Sequence, residues 1–204
     1  MIIMTPIISI GTGNFYYWKL SLVEKLRYLQ DIEGVHGIEI SCVPHGTQFS
    51  HEEISLLSRY THNTIHLWKY DFSDNNWMMY CRETIPNFQH FVLHPNDANL
   101  EDINIETESW ISFENMDPRK SAYQKPKEMQ DLFKRFPRAK FTLDINHADE
   151  NNIPRNEFQI VQMPSQIHFS TVNNHFYPTY PEIDTPHALA HLDPTFDRNI
   201  TAWV

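Results

Sequence analysis

KFTLDINHA, Lys140 to Ala148, is the stretch from which the fold is read. It runs through Phe141, Thr142 and Leu143, all residues at home in a strand, then reaches Asp144 and, three residues later, His147. A short apolar, β-branched run that ends on polar, metal-type residues reads as a strand buried on both faces and delivering side chains from its carboxyl end. Asp144-x-x-His147 is the most specific local pair in the chain.

The same design recurs on either side. Strands are expected at Pro6–Gly11 (PIISIG), Gly37–Cys42 (GIEISC), Asn63–Trp68 (NTIHLW) and His90–Pro95 (HFVLHP). Four more are expected at Trp110–Met116 (WISFENM), Lys140–Asn146 (KFTLDIN), Gln166–Thr171 (QIHFST) and Asn199–Val204 (NITAWV). Their starts lie about 20 to 33 residues apart, the length of one strand, one helix and two loops. Most of the intervening segments read as helices. Leu20–Ile32 places Leu22, Leu26 and Leu29 on one face, and Ser50 with Glu53 forms a capping box for a helix through Arg59. Met129, Leu132, Phe133 and Phe136 make a stripe that ends at Pro137, and Pro186–Leu192 reads as a short helix with Pro186 in its first turn. Asn151–Pro164 carries the faintest helical pattern. Eight strands alternating with helices belong to the α/β class, and their regular period points to a compact (β/α)8 TIM barrel. It would occupy 1–204 as a single domain and lack its last helix, because the chain stops in the eighth strand.

Composition narrows the function. The 204 residues include 12 His but only 5 Gly, all within the first 46 positions. Gly11-Thr12-Gly13 lacks the third glycine of a dinucleotide fingerprint and the Lys-Ser/Thr of a P-loop, which argues against nucleotide cradling. A net charge of −10 disfavours a broad basic face for nucleic acid or anionic membrane. Arg82, Arg119, Lys120, Lys125 and Lys127 form at most a modest basic patch. Two cysteines, Cys42 and Cys81, suit a reducing, cytoplasmic setting. Met1 to Ile10 has no preceding basic region and contains Pro6, so it reads as a strand and not a signal peptide. No run approaches 18 apolar residues, so no membrane span is expected.

In a parallel barrel, strand carboxyl ends meet at one mouth. His66, His94, Glu114, Asp144, His147 and His168 fall at or near such ends, with His175 in the loop after strand seven. Imidazole and carboxylate donors suit Zn, Mn or Fe, and Glu114 has two oxygens with which to bridge two ions. The other histidines (His36, His45, His51, His62, His90, His187, His191) are assigned to surface or loop roles.

This donor set resembles that of the xylose isomerase-like TIM barrels, the superfamily of endonuclease IV and many sugar isomerases and epimerases. Gly37-Ile-Glu39 is similar to its strand-two signature, His66 to the strand-three metal histidine of endonuclease IV, and His94-Pro95 to its strand-four His-Pro. Glu114-Asn115 corresponds to the Glu-Asn whose glutamate bridges metals, LDINHA carries Asp144 and His147, and IHFS carries His168. The stretch His175 to Asp184 lines up with the loop after strand seven. Asn173 stands where endonuclease IV has an aspartate, and the family's final metal-binding glutamate would follow Val204.

The resemblance implies one to three divalent ions held by His66, His94, Glu114, Asp144, His147, His168 and His175. Glu114, His147 and Glu39 would then take part in the chemistry. The leading expectation is a multinuclear hydrolase of a phosphoester, because sugar isomerases of this superfamily generally do not need both His66 and His94. A DNA substrate is disfavoured by the charge. The alternative is a one-metal isomerase or epimerase of a sugar or sugar phosphate, its pocket lined by Glu39, Trp18, Trp68 and Trp77. Further alternatives are a multinuclear iron oxidase and an inactive barrel that binds a partner. Oligomeric state is left open.

Overall fold

The computed structural model describes residues 7–12, 20–41, 43–67, 75–169 and 188–191. Seven strands run parallel and in chain order: β1 (Ile7–Gly11), β2 (Gly37–Ser41), β3 (His62–Leu67), β4 (Phe88–Leu93), β5 (Ile111–Glu114), β6 (Lys140–Asp144) and β7 (Gln166–Phe169). Between them lie α1 (Leu22–Leu29), α2 (His51–Leu57), α3 (Asn76–Thr84), α4 (Ile105–Glu108), α5 (Pro126–Arg135) and α6 (Ile145–Glu150).

The expected (β/α)8 TIM barrel is therefore corrected. Among the described residues the parallel strands form an open, curled half-barrel of seven, with no eighth parallel βα repeat. At the seam lies β8 (Ala188–His191), which pairs antiparallel with both β1 and β7. This segment falls within Pro186–Leu192, where helix-forming Ala and Leu residues suggested a short helix. Two neighbouring strand edges offer backbone partners that override so weak a local preference. The expected strand at Asn199–Val204 lies outside the described residues.

Local chemistry explains most of the boundaries. Ser21 and Ser50 each form a full capping box, with Glu24 and Glu53, at the start of α1 and α2. Asp144 ends β6 two residues before the expected limit, because its side chain accepts from the His147 backbone amide and caps α6. The faint pattern at Asn151–Pro164 becomes a 3-10 turn, Arg155–Ile160.

The period of two sorts each strand into an inner and an outer face. The outer face is apolar: Ile38, Ile40, Ile65, Phe91, Leu93, Phe113, Phe141 and Leu143 are buried against the helices, with Leu26, Leu29, Met78 and Met129. The inner face is polar: Glu39, Thr64, His90, Ser112, Glu114, Thr142, Asp144, Gln166 and His168 are also buried. Groups of that kind survive burial only by bonding one another or a ligand. The concave side of the curl is thus a polar chamber, and its carboxyl end carries the metal-type residues.

Candidate metal centre

Glu114 is the hub. It is the last residue of β5 and 1% exposed. Its two oxygens face two separate groups of donors. Oε2 lies 3.3 Å from His66 Nε2 and 3.4 Å from His94 Nε2, and those nitrogens are 3.1 Å apart. Oε2 accepts no hydrogen bond among the described residues. The point equidistant from the three atoms lies about 1.9 Å from each, close to the roughly 2.0–2.1 Å of an ordinary zinc bond to nitrogen or oxygen. Oε1 lies 3.2 Å from His168 Nδ1 and 3.5 Å from His147 Nδ1, and His168 Nδ1 lies 3.9 Å from Asp144 Oδ2. Three groups thus have the spacing of metal donors: His66–His94–Glu114 and Glu114–Asp144–His168, which share one carboxylate, and Glu39–His66–His168 on the far side of the two rings.

Other residues hold these in place. Glu39 Oε1 is 3.0 Å from His66 Nδ1, and its Oε2 takes Gln166 Nε2 at 2.7 Å and faces His168 Nε2 at 3.1 Å. Asn115 bonds the Asp144 backbone twice, through Nδ2 to O and from N to Oδ1 at 3.0 and 2.7 Å, which locks β5 to β6 beside the site. Its carbonyl lies 2.7 Å from His147 Nδ1, turning that ring's Nε2 toward Asp117 at 3.9 Å.

Electrostatics follow from this packing. Burial alone would raise the Glu39 and Glu114 carboxyls, but the His168 and His66 imidazoles hold both well below the usual range. Burial alone would lower His66, yet Glu39 and Glu114 outweigh it and hold the ring up at about 9. His168 and His94 are raised against the same penalty, by Glu39 and Glu114 and by Asp97 and Glu114 respectively.

Of the expected site residues, the structure brings together His66, His94, Glu114, Asp144, His147 and His168. It places Glu39 behind His66 and His168. His175, Trp18 and Trp68 lie outside the described residues. Trp77 is a core residue, 5% exposed, donating Nε1–H to the Thr47 carbonyl. The basic residues do not form one patch: Arg119 pairs with Asp117, Lys120 with Asp97, Lys127 with Asp131, and Arg82 lies over Trp110. His90 is corrected from surface to interior, bonded to Gln166 at 2.8 Å and held down at about 3 by burial. His62 is half-buried and held at about 4, again by burial. Asp97, Asp117 and Gln166 were missed. For Gln166 a signal existed, since it stands two residues from His168 on the same strand face.

Among the described residues no helix is long and apolar enough to cross a membrane. No family model and no curated protein sequence matches the chain.

Proposed function

We propose that the chain is a divalent-metal-dependent hydrolase of a phosphoester, with two ions sharing Glu114. The observation that carries this reading is the pair of separate donor triads meeting on the two oxygens of one buried carboxylate. His66 and His94 would hold one ion with Oε2, and Asp144 and His168 the other with Oε1. Ions in such a pair supply charge stabilisation at both the attacking and leaving oxygens of a displacement and make water more acidic. The chain's own residues set the geometry. Glu39 holds the far nitrogen of His66, and Asp144 fixes the start of α6, on which His147 sits.

The mixed imidazole and carboxylate donors suit Zn or Mn. They support kinship with xylose isomerase-like proteins such as endonuclease IV at the level of the donor set. The isomerase alternative loses support because Glu39, its candidate proton carrier, is engaged by His66, His168 and Gln166. With Arg119, Lys120 and Lys127 each paired to an acid, a small phosphoester suits the mouth better than DNA. A reducing, cytoplasmic compartment fits the sparse cysteines.

Metal analysis of protein purified without added metal, with turnover of p-nitrophenyl phosphate mono- and diesters, tests the proposal. Two Zn or Mn per chain and chelator-sensitive hydrolysis are expected. Glu114→Gln should lower metal content far more than His51→Ala on the exposed face of α2. Iron with oxygen uptake, turnover of a ketose with a single ion, or no ion under any loading condition would each overturn it.

A further inference from the structure

The two triads account for Glu114, His66, His94, Asp144 and His168, but not for the acid beneath His94. HPND, residues 94–97, sets His94 and Asp97 three apart, and Pro95 opens a tight 3-10 turn between them. The Asp97 backbone amide donates to the His94 carbonyl at 3.0 Å, which brings the carboxylate back under the ring. Asp97 Oδ2 then lies 3.2 Å from His94 Nδ1. From the loop after β5, Lys120 Nζ reaches both Asp97 oxygens, at 2.9 and 2.7 Å.

His66 has an equivalent arrangement, with Glu39 against its Nδ1 at 3.0 Å. Both rings of the first triad therefore have their far nitrogen on a carboxylate and their near nitrogen facing Glu114 Oε2. An imidazole that donates Nδ1–H to a carboxylate keeps its Nε2 lone pair for a metal, and its basicity rises. The two backing carboxylates differ in access. Glu39 is 2% exposed in the chamber, whereas Asp97 connects through Lys120 to the rim.

We infer that Asp97 is a positioning residue for His94, accepting its Nδ1–H and aiming Nε2 at Glu114 Oε2, with Lys120 fixing the Asp97 carboxylate in that pose. The inference deepens the two-ion reading and rests on it. Asp97 acts through His94 and is not itself a donor to the ion. Lys120 also ties the turn after β4 to the loop after β5, so the strands that deliver His94 and Glu114 are joined behind the site. The linkage meets the site at His94, a donor of the first triad alone, so its loss should weaken that metal position far more than the other.

Titration of the metal-free full chain with Co2+, followed by calorimetry and by the visible d–d absorption, tests this. Asp97→Asn keeps an acceptor but removes its charge, and is expected to weaken one position about tenfold; Asp97→Ala should weaken it up to about a hundredfold. The second position should stay within about twofold, and only the d–d bands of the weakened position should shift. Lys120→Met should give a smaller loss at the same position. Far-UV circular dichroism and the thermal midpoint of each metal-free variant separate this from misfolding. Equal weakening of both positions, or wild-type affinity at both in a folded Asp97→Ala, overturns the inference while the two-ion reading stands. A wild-type chain that takes up no Co2+ overturns both.

Discussion

His66 sits between two carboxylates, Glu39 at its back and Glu114 at its front, and without an ion a proton is what satisfies it. Its pKa near 9 means that this proton is present at neutral pH. The folded value exceeds the unfolded one of about 6.5, so the contribution to metal-free stability is complete below about 6.5. It is lost as the pH rises through about 9. An ion entering the triad must expel this proton, so metal affinity runs the other way and climbs with pH up to about 9. Zinc calorimetry at pH 7.5 in buffers of different ionisation enthalpy should therefore give enthalpies that depend on the buffer; identical enthalpies would refute the protonated resting state. The convergence of these side chains was legible in the sequence, because strand ends are where a parallel sheet presents them. Asp97 and Asp117 were not, since an acid in a polar turn looks the same whether it faces water or a histidine. His90 is different: it shares one face with Val92 and His94, and alternation alone places it inside once His94 is inside.

At the scale of elements, β2 lies tight against both neighbours at its first residue. Gly37 opens it, in register with Ser9 on one side and His62 on the other. A Cβ there would meet Ser9 Oγ at 2.1 Å and the His62 carbonyl oxygen at 2.3 Å. The hydroxyl has room to turn, whereas the carbonyl belongs to the β2–β3 ladder. Gly37→Ala should destabilise the chain by about 1–3 kcal/mol, as overpacking does. It should also reduce metal binding, because the same strand carries Glu39 two residues on. Chemical denaturation measures the first effect and Co2+ titration the second; an unchanged midpoint would show that β2 has slack. The parallel strands and the helices α1, α2 and α5 were readable from period and capping. β8 was not, because what makes Ala188–His191 a strand is the pair of edges beside it and nothing in its own residues.

Across the whole molecule, the polar chamber runs against the usual placement of polar groups at the surface, and the proposed ions make it favourable. Anything that binds only the folded state adds stability by mass action: Zn2+ at a hundred times its dissociation constant contributes about 2.7 kcal/mol per position. Thermal unfolding should move upward with added Zn2+ or Mn2+ and fall with EDTA, more in wild type than in Glu114→Gln. A midpoint indifferent to both additions would leave the chamber without its proposed purpose. The number of strands is where the sequence misled, since a regular repeat fixes the spacing of βα units but not how the last edge is met. The Glu39–His168 contact joins residues 129 positions apart, and the donors between them come from almost every strand. An ion held there would act as a cross-link. It ties off long stretches of chain, whose loop-closure entropy must already be lost before the first ion can bind. Metal uptake during refolding should accordingly be a late event, and a chain cut between β3 and β5 would part the donors of the first triad.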